Sequence, residues 1–229
     1  MRRWFWRGVA VALILIVYVQ ISVFAAVLWW KYFNPANTAF MEEGLARLQE
    51  RNPDAELRHK WVPYARISLN LKRAVVAAED SRFLDHEGFD WEGMQKAMEK
   101  NLKKGRIVAV GSTISQQLAK NLFLSASRNP LRKVQEAVIT VMIEQVWGKR
   151  RILEVYLNVI EWGKGIYGAE AASRRYFKTS AANLGPSQAS LMAAMIPNPR
   201  YYESHRSARG LLYRQGIIEA RMWQVSVPR

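Results

Sequence analysis

Residues 9–30, VAVALILIVYVQISVFAAVLWW, run for 22 positions without one charge. A helix of that length rises about 33 Å at ~1.5 Å per residue, close to the hydrocarbon thickness of a bilayer. Gln20 and Ser22 are the only clearly polar interruptions. Arg2, Arg3 and Arg7 precede the run, and that positive bias places the N-terminus in the cytoplasm. Trp4, Phe5 and Trp6 before it, and Trp29, Trp30, Tyr32 and Phe33 after it, suit aromatic belts at the two interfaces. The competing reading is a cleaved signal peptide. Its apolar core would be shorter, ~7–15 residues, and would end in small side chains rather than two tryptophans. The pattern predicts an uncleaved, single-pass anchor in residues 1–33, with one water-facing domain beyond it.

Charge narrows what that domain meets. The chain holds 34 Lys and Arg against 19 Asp and Glu, and the anchor region contains only four of the basic residues. The excess implies an anionic partner: a phosphate-bearing substrate, an acidic lipid surface or nucleic acid. Export argues against nucleic acid. The chain has no cysteine, which excludes disulfides, thiolate metal sites and a cysteine nucleophile. His59, His86 and His205 are the only histidines, too few for a multi-histidine metal centre.

Beyond the anchor, residues 34–64 read as a membrane-proximal connection with Pro35, Pro53 and Pro63 and a short amphipathic segment near residues 38–50. Residues 65–229 form the domain, and its pattern is mainly α-helical. Ser68 can cap a helix ending near Glu79, and Asp90 one ending at Gly105. Thr113 with Gln116 makes a capping box for a helix to Phe123. Asn129-Pro130 starts a helix reaching Trp147, apolar nearly all round from Ala137 to Ile143 and so expected to be the buried central helix. Further helices are expected at residues 150–160, 169–177, 186–196 and 207–223, with Gly163, Gly165 and Gly168 breaking the pattern between the first two. The best strand signal, a weak one, is residues 106–110.

Three clusters carry candidate chemistry. Glu79-Asp80 closes an apolar helix and opens the acidic turn SRFLDHEGFD. A carboxylate at a helix C-terminus faces the negative end of the dipole, which with burial poises it as a base near neutral pH. The bland alternative is a solvated acidic turn. Ser112, Thr113, Gln116, Gln117, Lys120 and Asn121 follow Gly111 at a helix start, where amides and hydroxyls suit a sugar or phosphate; an ordinary capping box explains only Thr113 and Gln116. Arg132, Lys133 and Glu136 pair at helical spacing, either as surface ions or as a site wall.

In this order, the segments EDSRF–H–G–D, GSTISQQLAKN, RKVQE and RRILEVYLN resemble the peptidoglycan glycosyltransferase family, the polymerising domain of bifunctional penicillin-binding proteins. The resemblance covers roughly residues 67–202. IEWGKGIYGAEAA looks like the stand-alone, monofunctional members, and no Ser-x-x-Lys of a transpeptidase is present. Two departures lie away from the clusters: the family often has a glycine before Lys178, and an acidic residue is common where Gln188 stands.

The resemblance implies a lysozyme-like helical glycosyltransferase domain behind one N-terminal transmembrane helix. The substrate would be lipid II, polymerised into glycan strands with release of undecaprenyl pyrophosphate. Glu79 would be the general base and Glu136 a second catalytic carboxylate. Lys120, Arg132 and Lys133 would hold the pyrophosphate. Asp80, Phe83, His86, Ser112, Thr113, Gln116, Gln117 and Asn121 would complete the substrate site. No cofactor is required, no dedicated metal site is visible, and the pyrophosphate leaves room for Mg2+ or Mn2+. The setting would be the bacterial cytoplasmic (inner) membrane with the domain on the periplasmic side, among membrane lipid, the growing strand and other cell-wall synthesis proteins. Two rivals stay open: a lytic enzyme that cleaves strands with one glutamate, and an anchored scaffold without catalysis.

Overall fold

The computed structural model describes residues 2–105, 111–125 and 129–229. The strand expected at residues 106–110 lies outside the described residues. The helices are α1 (Arg2–Tyr32), α2 (Ala39–Gln49), α3 (Leu69–Glu79), α4 (Trp91–Lys104), α5 (Ile114–Phe123), α6 (Pro130–Val146), α7 (Lys149–Val159), α8 (Ala169–Phe177), α9 (Pro186–Met195), the single turn α10 (Pro199–Tyr202) and α11 (Arg209–Arg221). The caps expected at Ser68, Asp90, Thr113 and Asn129 form, each accepting a backbone N–H in the first turn of the following helix, and Gly105 ends α4 in the left-handed conformation. Thr38 caps α2 in the same way.

Three strands that the sequence pattern did not reveal are β1 (Arg58–His59), β2 (Glu161–Gly163) and β3 (Ile166–Tyr167). They form one sheet in the order β1-β3-β2, with β1 parallel and β2 antiparallel to β3. Strands this short carry no readable alternation, and the glycine breaks that hid them make the turn between β2 and β3.

Two packed groups flank the site. In one, α3 lies against α9 and α11; in the other, α5 lies against α6 and α7. The central position belongs to α7, in which Ile152, Leu153, Val155, Tyr156, Leu157 and Val159 are fully buried. This corrects the expectation for α6. One side of α6 meets α5, another meets α1, and Val138 and Val141 remain exposed. Its apolar circumference is explained by a helix that has the core on one side and continues the apolar surface of the anchor on the other.

The anchor is bound to the domain by specific polar contacts. Gln20, one of the two polar interruptions in the apolar run, donates to Gln135 Oε1 of α6 at 2.9 Å. Trp147 Nε1 donates to the carbonyl of Val27 at 2.8 Å, and Arg151 donates to the carbonyls of Trp30 and Phe33. Residues 34–64 are laid onto the domain as well. Asn158 of α7 exchanges hydrogen bonds with the backbone of Val62, and Met41 of α2 is buried.

Candidate active site

The end of α3 and the start of α5 are joined by one buried side chain. Asp80 leaves the helix with φ −163 and ψ 72, and its Oδ2 accepts the amide of Ile114 at 3.0 Å. Its Oδ1 accepts from His86 Nε2 at 2.9 Å. The reciprocal capping box of Thr113 and Gln116 organises the same turn. Thr113 Oγ1 also donates to the carbonyl of Gly88 at 2.7 Å. Gly88 has φ 88, and a Cβ there would come within 2.8 Å of Thr140, so the turn requires glycine. Asp80, His86, Thr113 and Gln116 thus form the frame that brings two distant segments together.

Within that frame stands Glu79. Its side chain is only 11% exposed, more enclosed than a residue in an open cleft. Oε2 accepts from Gln117 Nε2 at 2.9 Å, and Gln117 Oε1 in turn accepts from the hydroxyl of buried Tyr156 at 2.9 Å. Oε1 accepts from Arg214 Nη2 at 3.0 Å. Burial raises the pKa of Glu79 above the usual carboxylate value, the Gln117 bond and the Arg214 charge draw it back, and neighbouring Asp80 adds to the rise. A carboxylate so placed accepts a proton more readily than a solvated one while its orientation is held from two sides. Beside it opens a cleft of about 170 Å³ lined by Glu79, Ser81, Asp90, Gly111 and Ser112.

The cationic cluster lies on α5 and the first turns of α6. Burial lowers the pKa of Lys120; Glu136 opposes the shift, Arg132 and Lys133 reinforce it, and Glu79 also opposes it. Lys120 therefore lies within electrostatic reach of both candidate carboxylates. Its ammonium sits 5.3 Å from the ring centroid of Phe40. Glu136 is buried and paired with Lys133, with Arg132 at 3.6 Å. Arg132 Nε and Nη1 are buried and make no hydrogen bond among the described residues. These are donors available to an anionic ligand.

The remaining sequence candidates divide by position. Ser112 lines the cleft, whereas Asn121 is buried on α5. Phe83 is fully buried beneath Lys149, whose ammonium is 4.7 Å from its ring and 2.7 Å from Glu144. Ser115 donates to that same carboxylate. Sequence reasoning did not single out Arg214, Glu144 or Phe40. Arg214 is 135 positions from its partner, and no local spacing signals such a contact. The two departures find local roles. Gln188 Oε1 accepts the amide of Gly185 at 3.1 Å, as a carboxylate would, and Lys178 itself adopts the left-handed conformation with φ 57.

A protein-family model described as Transglycosylase matches residues 45–223. The chain is 62% identical over 224 residues to a biosynthetic peptidoglycan transglycosylase of Methylobacillus flagellatus, covering 98% of each chain. It is 66% identical over 227 residues to a protein of the same description from Thiobacillus denitrificans, covering 99% of this chain and 98% of that one. A third, from Laribacter hongkongensis, is 60% identical over 228 residues and is matched along all of both chains.

Proposed function

This chain belongs to the transglycosylase family and is a peptidoglycan glycosyltransferase, and on that premise we propose how its residues divide the reaction. The substrate is lipid II and the product a linear glycan strand. Glu79 takes the proton from the 4-hydroxyl of the acceptor's N-acetylglucosamine. The freed oxygen attacks C1 of the donor's N-acetylmuramic acid. The bond from C1 to the pyrophosphate oxygen breaks, its electron pair leaves with undecaprenyl pyrophosphate, and the new linkage is inverted.

The observation that carries this reading is the enclosure of Glu79 between Gln117 and Arg214, beside a cleft and within electrostatic reach of Lys120. The leaving group is already anionic and needs positive charge more than a proton. Lys120, Arg132 and Lys133 supply it, and the unsatisfied N–H groups of Arg132 are suited to phosphoryl oxygens. Glu136 orients these cations, which is its catalytic part. A divalent cation, Mg2+ or Mn2+, bound at the pyrophosphate would add to that positive charge, and no other cofactor is required. Ser112, Gln117 and Asn121 serve the donor, while Asp80, Phe83, His86, Thr113 and Gln116 hold the walls in place.

The apolar helix α1 is long enough to cross a bilayer. With Arg2, Arg3 and Arg7 on the cytoplasmic side, the domain faces the periplasm across the inner membrane, where a polyprenyl-linked substrate is available. The test is incubation of purified full-length protein with lipid II and, separately, with finished glycan. Polymer from the first and no cleavage of the second supports the reading. Cleavage without polymerisation favours a lytic enzyme.

A further inference from the structure

A second group of cations lies outside the cleft. A cavity of about 570 Å³ opens between the start of α3, the start of α7 and residues 223–229, and Lys72, Arg73, Arg150 and Arg229 line it. Lys72 as a whole residue is only 7% exposed, and it lines the cavity. Its ammonium rests 3.9 Å from the ring centroid of Tyr64, and Arg150 covers the same ring at 4.9 Å. Arg73 lies 5.8 Å from the ring of Trp223, and its buried Nε has no hydrogen-bond partner among the described residues. Glu154 acts on Lys72 electrostatically, but its oxygens are taken by the Tyr64 amide and by Arg151.

Burial and the Arg150 charge lower the pKa of Lys72. A partly enclosed ammonium without a hydrogen-bonding anion is unfavourable, and four basic side chains around one cavity compound it. An anion in the cavity would relieve their mutual repulsion. The walls also include the half-exposed apolar side chains of Leu69 and Trp223. The ligand that fits is therefore amphipathic.

Position selects its source. Arg151, adjacent to Arg150, donates to the carbonyls of Trp30 and Phe33 at 2.8 Å, where α1 ends its apolar run. The polar headgroup layer extends ~5–8 Å beyond the hydrocarbon core, so the start of α7 lies beside it. We propose that this cavity is an anion site, separate from the catalytic cleft, that takes the phosphodiester headgroup of an acidic membrane lipid. Lys72, Arg73 and Arg150 hold the phosphate, and Leu69 and Trp223 pack on the glycerol and the first acyl carbons. Glu79 lies two turns beyond Lys72, about 10 Å along α3, so a bound headgroup sets the height of the domain on the membrane and leaves the cleft open.

The experiment is calorimetric titration of full-length protein in a neutral detergent. The probes are dihexanoyl phosphatidylglycerol below its micellar concentration, inorganic phosphate and dihexanoylglycerol. Phosphatidylglycerol is expected to bind. Lys72→Gln and the exposed Arg150→Gln should each weaken it about tenfold or more, the scale of a charge-assisted contact. Lys72→Arg should retain it, and so should Lys120→Ala, because Lys120 does not line this cavity. Arg150→Gln should leave lipid II polymerisation in detergent unchanged. Wild-type binding by folded Arg150→Gln overturns the proposal. Equal affinity for inorganic phosphate overturns the lipid source, and equal affinity for dihexanoylglycerol reduces the cavity to an apolar contact.

Discussion

Arg214 of α11 donates to Glu79 Oε1 at 3.0 Å across 135 positions of sequence. The contact makes α11 part of the site, because it places a fixed positive charge against the carboxylate proposed as base. Glu79 must be ionised to accept a proton. Burial resists that ionisation and Arg214 favours it. If Glu79 is the base, activity on the acidic side of the pH range is expected to depend on a residue remote from every motif.

Replacing Arg214 by Gln should shift the acidic limb of the polymerisation profile to higher pH. Loss of the cation removes one of the influences that lower the Glu79 pKa, so a larger fraction of the base is protonated at a given acidic pH. The arginine is 39% exposed, which limits the pair to ~0.2–1 kcal/mol and the acidic-side loss to less than about tenfold. Arg214→Lys should restore most of it. A limb that stays in place in Arg214→Gln would show that the contact does not govern the base.

Lys120→Ala and Arg132→Ala should each reduce polymerisation of lipid II at least tenfold while the fold persists. A charge-assisted contact to a phosphoryl oxygen contributes ~1.5–3 kcal/mol, and ~1.4 kcal/mol corresponds to a factor of ten in rate. Because burial lowers the Lys120 pKa, its charge should be lost at lower pH than that of an ordinary lysine. Lys120→Arg should accordingly hold activity further into alkaline solution. Wild-type turnover in either alanine variant, measured with circular dichroism as the folding control, contradicts the assignment.

Asp80 is expected to act chiefly on architecture. Asp80→Ala strands the buried amide of Ile114 and removes the partner of His86. An unsatisfied buried donor costs ~1–3 kcal/mol. For a chain of this size each kcal/mol lowers the melting temperature by ~2–4 °C. Thermal unfolding followed by circular dichroism should show that drop, and an unchanged midpoint would mean that Asp80 does not carry the α3–α5 junction.

The anchor prediction is tested on the mature protein. Residues 9–30 lack the short core and small-residue end of a cleaved signal, and α1 is pinned to the domain through Gln20, Val27 and Trp30. Sequencing from the N-terminus should begin within the first few residues. A start beyond residue 25 rules out the anchor.

Local signals in the sequence were reliable where one segment contains the whole interaction. The caps at Ser68, Asp90, Thr113 and Asn129 are of that kind, and so is the Arg132–Glu136 pair. Contacts made by folding were not legible. Gln117 could be named from its neighbours, but its bonds to Glu79 and Tyr156 join three helices. The place of α6 was misjudged because apolarity all round does not distinguish a core helix from one that flanks another apolar helix. The short strands β1 to β3 fell below the length at which alternation can be read. Arg214 and Phe40 had no motif around them, and only the fold brings them to Glu79 and Lys120.

Glu79→Gln separates catalysis from stability. General-base catalysis contributes ~10²–10⁴-fold, and the amide keeps the size of the side chain without accepting a proton, so polymerisation should fall by about that factor. Stability should not fall with it. The folded pKa of Glu79 is raised by burial. Protonated Glu79 therefore suits the fold better than the ionised form. That advantage is fully present below the unfolded pKa and is lost as pH rises through the folded one. As pH rises through the folded pKa the wild type loses it, whereas the uncharged glutamine never ionises. The variant should melt at least as high as wild type once Glu79 is ionised, and the difference should shrink in acid. Glu136→Gln provides the contrast. It removes the carboxylate that Lys133 and Arg132 share, so its defect should arise from misplaced cations and be partly offset by more substrate. If folded Glu79→Gln polymerises lipid II near the wild-type rate, the base is another residue, and Glu136 and Asp80 are the next to test.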